Sequence, residues 1–402
     1  MFLTYLLVIF ISNFLGLDIL GYFTIVNSSI LIIGSASCFG TNISIIKLIN
    51  QKENKTRLVK GIKNFVVFNS LIISMGILFF HKIIEERIFG NLEYASYLTF
   101  GLSIITPVLS LTLINQEYLK GIGEINLSEI IRVVFKNTFI LIFIPLIYLL
   151  ESTDKIRGFL LILLISVFLN YFLSYLFFRS HTGVKTSFLK YEIVERETLI
   201  LSFHLWITNL SNVIRRNIPV IFLTMHSTVA TIGVYNLIFK YGQIVTILGI
   251  SSVALIGREV AKAKDLNEIQ SVLDLSSKFL IKYSTIILII LLLSINLFFK
   301  LTDIEKYNEF MLLALFIVLI EYFSTILGNV SITLNMLNKH KFLSHFNIIL
   351  TVVMIISSYY LIKFYDIYAA LIISSISNLL VNLLGFIYLK RELKISTIHY
   401  FK

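Results

Sequence analysis

The chain has 402 residues, of which 57% are hydrophobic and only 14% are charged, and its mean hydropathy is +0.89. Because a soluble domain carries about a quarter charged residues, this composition excludes a soluble globular protein and predicts one embedded in a lipid bilayer. The single cysteine, Cys38, excludes an internal disulfide.

Twelve apolar segments follow one another along the chain, and most exceed the ~20 residues that a helix needs to cross the hydrocarbon core. Helix is expected because lipid offers no hydrogen-bond partners to an open backbone. The sequence therefore predicts an all-α integral membrane protein with about 12 transmembrane helices. The predicted segments are 2–17, 20–46, 62–80, 94–116, 130–149, 158–178, 199–225, 229–256, 276–299, 308–335, 342–362 and 367–389.

The first segment, "MFLTYLLVIFISNFLGL", lacks a basic leader and a small-residue cleavage site, which predicts a retained helix rather than a signal peptide. The predicted segment, residues 2–17, covers only ~24 Å at the helical rise. We expect either a short first helix or a helix that continues upstream of residue 1.

Basic residues set the predicted orientation. With the N-terminus inside, the inside loops carry 24 Lys and Arg residues and the outside loops carry 7. By the positive-inside rule, this asymmetry predicts that both termini are cytoplasmic. It also accounts for the net charge of +11 without a nucleic-acid partner. Three basic residues, Arg215, Arg216 and Lys240, remain inside apolar segments.

An internal repeat divides the chain. "ILGYFTIVNSSILIIG" opens the second segment and "TIGVYNLIFKYGQIVTILG" opens the eighth, which pairs Gly21 with Gly233 at an offset of 212 residues. Charged loops follow both segments. The repeat predicts two six-helix halves around a central cavity, 1–180 and 198–402, joined by a cytoplasmic loop at 181–197. This is an arrangement that transporters use.

Charged residues in three helices are expected near the middle of the membrane. Arg215 lies eleven residues before His226, the outer end of segment seven, which is ~16 Å. Lys240 lies twelve residues after Thr228, the outer start of segment eight, and Glu321 lies twelve residues after Glu309, the outer start of segment ten, which is ~18 Å in each case. Half of a ~30 Å hydrocarbon core is ~15 Å, so the sequence predicts one charged mid-membrane layer.

Polar side chains share helix faces with these cations. Charge facing lipid costs at least ~2.5–3.5 kcal/mol, so we expect these faces to line a wet cavity. The predicted polar lining consists of Asn209, Asn212, Asn236 and Gln243.

Two alternatives stay open at this point. Glu321 is either a counter-ion to a buried cation or a coupling site, and the arginines either bind an anion or snorkel from a helix loosened near Pro219. The histidines lack paired ligand spacing and no Walker motif is present, so the sequence predicts neither a metal site nor a cofactor.

The pattern "IGVYNLIFKYGQI" after a polar segment seven, a charged loop, and the tail from "LNMLNKHKFLSHFNIIL" to "FIYLKR" together resemble a known family. That family comprises the polysaccharide and O-antigen flippases of the multidrug/oligosaccharidyl-lipid/polysaccharide exporter superfamily. Members of that family often carry an acidic residue in segment seven where this chain has Arg215 and Arg216.

The resemblance implies a flippase, not an enzyme, that moves an undecaprenyl-pyrophosphate-linked oligosaccharide, such as an O-antigen or capsule repeat unit, across a bacterial cytoplasmic membrane. Membrane lipid, a polysaccharide polymerase and chain-length proteins are the implied partners. Arg215, Arg216 and Lys240 are the candidate contacts for the anionic head group. A membrane polymerase or ligase is disfavoured by the short outside loops. A cation-coupled multidrug exporter is disfavoured by the basic cavity, since cationic drugs are bound by aromatic or acidic groups.

Overall fold

A computed structural model describes residues 2–49, 54–90, 92–150, 152–182, 192, 194–263, 265–302, 304, 309–337 and 339–398. Helices and short turns account for all regular structure within these ranges, as the apolar composition predicts. The chain divides into two compact units, Met1–Gly233 and Val234–Lys402. The predicted halves, 1–180 and 198–402, follow the sequence repeat instead and stay a prediction. Most of the predicted connecting loop at 181–197 lies outside the described residues.

The first unit contains ten helices and the start of an eleventh within its described part. They are α1 (Phe2–Leu15), α2 (Leu17–Cys38), α3 (Thr41–Leu48), α4 (Lys55–Phe79), α5 (His81–Arg87), α6 (Ala95–Gly121), α7 (Ile125–Glu129), α8 (Lys136–Tyr148), α9 (Ser152–Thr182), α10 (Arg196–His226) and the first turn of α11 (Val229–Gln243). A π-helical turn at Ile130–Phe135 joins α7 to α8.

The second unit continues α11 through a short 3₁₀ turn at Ile244–Thr246. Its further helices are α12 (Ile247–Lys262), α13 (Leu266–Leu301), α14 (Met311–Ile326), α15 (Val330–Met336) and α16 (His340–Glu392). Asp366 interrupts α16 with φ 47° and ψ −129°. The break falls between the last two predicted segments, which were separated in the sequence by the polar turn "FYDIY".

Each of the twelve predicted segments overlaps one or two of these helices. Within the described ranges, eight helical stretches are long and apolar enough to cross a membrane. The chain is therefore a multi-pass membrane protein, while the count of twelve crossings stays a prediction. Helix α10 is not among the eight, because two arginines and several asparagines lower its hydropathy. The eight stretches are Leu17–Cys38, Lys55–Phe79, Ala95–Gly121, Ile125–Tyr148, Lys155–His181, Leu266–Leu301, Met311–Met336 and Phe342–Glu392.

Helices α2 and α11 cross at the two glycines that the repeat had paired. A Cβ atom on Gly21 would lie 2.1 Å from the carbonyl oxygen of Val229, and one on Gly233 would lie 2.3 Å from the carbonyl oxygen of Leu17. Leu17 and Val229 are also 212 residues apart. The contact is thus reciprocal, as a two-fold relation between equivalent helices would make it, and only glycine fits on either side.

Candidate functional site

Helix α10 carries both arginines that the sequence places near the middle of the membrane, and polar side chains fix its first half against α2 and α3. Trp206 donates its indole N–H to the carbonyl oxygen of Ser35 at 3.2 Å, and Asn209 Nδ2 donates to Ser35 Oγ at 2.9 Å. The hydroxyls of Ser202 and Ser44 lie 2.7 Å apart. Since few alternative partners exist in an apolar environment, these bonds set the rotation of α10 about its own axis.

The contact is made possible by a break between α2 and α3. Phe39 and Gly40 adopt positive φ angles of 49° and 73°, which end one helix and begin the next. A Cβ atom on Gly40 would lie 2.1 Å from the carbonyl oxygen of Ser202, so α10 approaches here at backbone distance. The ring of Phe39 stacks on Trp206 with centroids 4.8 Å apart. Asn69 Nδ2 donates to the carbonyl oxygen of Ser37 at 2.7 Å, which satisfies one of the carbonyls freed by the break.

The two adjacent arginines have different environments. Arg215 is only 3% exposed, and its Nη2 donates to Asn212 Oδ1 at 3.1 Å, one turn earlier on the same helix. Arg216 is exposed. Successive residues of a helix point ~100° apart, so burying one side chain turns the other away from the packed face. Arg215 is the positioned cation of α10 and Arg216 is the accessible one.

In the second unit, Lys240 donates to Gln243 Oε1 at 3.0 Å on the same face of α11. Asn236, one turn earlier, is buried. The predicted polar stripe on this helix is thus continuous from Asn236 to Gln243. That these residues line a cavity stays a prediction.

Glu321 of α14 is 1% exposed and accepts a hydrogen bond from Asn378 Nδ2 of α16 at 3.4 Å. Nearby, Asn382 Nδ2 donates to Ser324 Oγ at 2.9 Å and links the same two helices. On α11, the hydroxyl of Tyr235 lies 2.8 Å from Ser374 Oγ of α16. The carboxyl group therefore lies among amides and hydroxyls, which can stabilise a charge or a bound cation. Its role as counter-ion or coupling site stays a prediction.

Two embedded lysines were missed, because the sequence count assigned them to inside loops. Lys63 is 5% exposed, and its Nζ lies 3.3 Å from the centroid of the Phe178 ring. Lys136, at the start of α8, donates to Asn27 Oδ1 in the middle of α2 at 3.1 Å. The sequence could have shown that Lys136 is embedded, because this residue lies six residues into its predicted segment, ~9 Å from the start of the segment.

A family model described as "Polysaccharide biosynthesis protein" matches residues 1–256, well over half of the chain. The chain belongs to this family. Membership covers the whole first unit and the beginning of the second, including both arginines and Lys240. A search of curated protein sequences found no match.

The fold of this family member is similar to that of solved transporters of the MOP superfamily and of a lipid flippase. An inward-facing multidrug resistance MATE family transporter of that superfamily is 13% identical, with a TM-score of 0.72 over 96% of this chain and 92% of the other. The lipid II flippase MurJ, inward closed, is 15% identical, with a TM-score of 0.72 over 97% and 85%. A MOP superfamily transporter from Pyrococcus furiosus, described as having a binding pocket of reverse polarity, is 14% identical, with a TM-score of 0.59 over 96% and 90%.

Proposed function

We propose that this protein is a flippase that moves a lipid-linked oligosaccharide, carried on undecaprenyl pyrophosphate, from the inner to the outer leaflet of a bacterial cytoplasmic membrane. The observation that carries the proposal is the pair Arg215 and Arg216 halfway along α10, in a member of a polysaccharide biosynthesis family with the fold of a lipid flippase. An O-antigen or capsule repeat unit is the proposed cargo.

The chemistry of the cargo explains why cations are needed. A pyrophosphate and its sugars cannot enter hydrocarbon without compensating partners. Guanidinium groups supply paired hydrogen-bond donors that match phosphate oxygens. Arg216 is exposed, and a charge facing lipid is costly. We therefore propose that Arg216 faces a water-filled cavity and contacts the head group directly. Arg215 adds positive potential and is oriented by Asn212. Lys240 is the further cation that we assign to the head group.

The energy source follows from the charge of the cargo. An inside-negative potential favours outward movement of an anion by ~2.3 kcal/mol per charge per 100 mV, so two net charges gain ~4.6 kcal/mol at 100 mV. This gain acts on the cargo itself and is available for export without ATP. Glu321 is a candidate coupling site that would add to this drive.

Transport of a cationic drug is the second candidate, because a MATE family transporter matches the fold as well as the lipid flippase does. The arginines on α10 argue against it, since they repel a cation. The Pyrococcus transporter, described as having a binding pocket of reverse polarity and a different function, supports the view that the polarity of the pocket varies within one fold.

The first experiment tests accessibility. The only native cysteine, Cys38, is buried, so a Cys38→Ser background allows single cysteines to be placed. Arg216→Cys should react with a membrane-impermeant cationic thiol reagent added to the cytoplasmic side of inverted vesicles. Ile142→Cys, which replaces an exposed apolar residue of α8, is the matched lipid-facing control and should not react. Equal reactivity of the two positions would remove the water-filled cavity from the proposal.

The second experiment tests transport. Surface polysaccharide is measured in a strain whose own flippase is deleted, with the amount of protein in the membrane checked. Arg216→Gln should abolish export while the protein still inserts, and Arg216→Lys should restore only part of it because a point charge lacks the paired geometry. Wild-type export by the double variant Arg215→Gln/Arg216→Gln would refute the anion site.

A further inference from the structure

A lateral groove of about 650 Å³ lies in the first unit between α2, α6 and α9. Aliphatic and aromatic side chains line nearly all of it. The rim is formed by exposed side chains of α6 and α9, so the groove opens sideways toward the lipid. The rim residues are Tyr97, Phe100, Ile104 and Leu161.

The groove has the depth of one leaflet. On α6 it extends from Ser96 to Ile105, ~14 Å at the helical rise, which is about half of a ~30 Å hydrocarbon core. On α9 it begins at Arg157 and ends at Leu164. Because Ser96 and Arg157 lie near the starts of their helices, one end of the groove is at the membrane interface and the other is near the midplane.

The interfacial end carries the only charge in the lining. The guanidinium carbon of Arg157 lies 5.7 Å from the ring centroid of Tyr94 and 5.9 Å from that of Tyr97. Two aromatic rings at the interface hold the guanidinium beside the mouth of the groove. Arg157 is itself exposed, so its N–H groups can meet a ligand from the head-group region.

We propose that this groove is a binding site for an anionic phospholipid, with its phosphate at Arg157 and one acyl chain lying between α6 and α9. A space this large and this apolar excludes water and gains dispersion contacts when hydrocarbon fills it. A single guanidinium matches a phosphodiester, and the length of one leaflet matches an acyl chain rather than a long polyprenyl chain. The inference does not depend on the proposed cargo. The predicted topology, in which α6 and α9 begin on the outside, assigns the groove to the outer leaflet.

Gly101 provides a direct test. A Cβ atom at this position would meet nothing within 4 Å, although the residue lines the groove. Gly101→Leu should therefore occupy the groove without disturbing the helices. Gly76 of α4 also has open space at its Cβ position and does not line the groove, so Gly76→Leu is the matched control.

Arg157→Gln tests the contact with the phosphate. Its matched control is Lys155→Gln, since Lys155 lies on the same helix outside the lining.

The full-length protein is purified from vesicles of equal phosphatidylglycerol and phosphatidylcholine, and the retained lipids are counted by native mass spectrometry. Wild type and both controls should retain phosphatidylglycerol. Gly101→Leu should lose one bound phospholipid, and Arg157→Gln should reduce the preference for phosphatidylglycerol about fivefold, equivalent to ~1 kcal/mol. Gly101→Ala, with its smaller side chain, should lose part of the bound lipid. This variant replaces Gly101→Leu in the test if Gly101→Leu does not fold.

Three results would overturn the proposal. One is unchanged retention in both Gly101 variants. Another is an equal loss in Arg157→Gln and Lys155→Gln, which would indicate attraction by the general surface charge. The third is displacement by equimolar polyprenyl phosphate of the one phosphatidylglycerol that wild type retains and Gly101→Leu lacks, which would assign the groove to the carrier's tail. Because none of these measurements involves export, a failed lipid site and a failed flippase proposal are distinguishable.

Discussion

Replacing Gly21 or Gly233 with Ala should lower the free energy of unfolding, because the added methyl group forces apart the crossing of α2 and α11. The new methyl group on Gly21 would lie 2.1 Å from a backbone oxygen, about 1.3 Å short of the 3.4 Å at which ordinary contact begins. Backbone cannot rotate away, so the helices must separate. Overpacking of this kind costs ~1–3 kcal/mol, and we expect the upper end. Alanine recovers ~0.5–1 kcal/mol through its better helix propensity, which leaves a net loss of ~2 kcal/mol for each variant.

The double variant distinguishes this mechanism from two independent defects. Once the helices have separated for the first methyl group, the second enters a gap that is already wider. We therefore expect Gly21→Ala/Gly233→Ala to cost ~2–3 kcal/mol rather than ~4 kcal/mol, a coupling of ~1–2 kcal/mol. Unfolding by SDS in mixed micelles measures these differences, and the fluorescence of Trp206, the single tryptophan, reports on the first unit.

Gly76→Ala is the control, because a methyl group there meets nothing within 4 Å. It should be neutral or slightly stabilising. Gly21→Ala behaving like Gly76→Ala, or full additivity in the double variant, would refute the close crossing.

Three further predictions concern other parts of the chain. Gly40→Ala should destabilise the protein by at least ~2 kcal/mol and shift the tryptophan emission, because it combines a φ of 73° with a methyl group 2.1 Å from a carbonyl oxygen of α10. Glu321→Gln should impair expression and be partly rescued by Lys240→Met when the carboxylate is a counter-ion, whereas normal expression with an altered pH dependence of transport would identify a coupling site. Tags at Thr302 and at the C-terminus should report the outside and the cytoplasm respectively, and an external C-terminus would reverse the assigned orientation.

Hydropathy predicted where the helices lie, because each crossing must be apolar over its whole length. It also separated the two parts of α16, since "FYDIY" interrupts the apolar pattern around Asp366. The break between α2 and α3 was missed. Phe39 and Gly40 lie inside the predicted segment 20–46, which hydropathy treats as continuous although small polar residues flank the pair. These residues are Ser35, Ser37, Thr41 and Asn42. Hydropathy averaged over a segment does not distinguish a break in backbone angles from a continuous helix that carries small polar residues.

The candidate site was predicted only at the level of its residue types. Arg215 and Arg216 each had a polar stripe in the sequence, so periodicity could not distinguish the buried side chain from the exposed one. The distinction comes from Trp206 and Asn209, whose bonds to Ser35 set the rotation of α10. These are tertiary contacts between positions more than 170 residues apart, which a single sequence does not reveal.

The reciprocal contact of Gly21 and Gly233 also bears on the ancestry of the chain. In a homodimer built from one six-helix subunit, the two positions would be the same residue facing its own copy across the symmetry axis. A single mutation in such an ancestor would have placed two methyl groups into one crossing at once, with the full cost of the double variant, ~2–3 kcal/mol, in one step. Duplication and fusion of such a subunit would let each position mutate separately, and both positions of the present chain hold glycine. At this one helix crossing, the present chain therefore has the steric constraint that a symmetric dimer interface would impose, with each glycine facing a backbone carbonyl of the opposite helix.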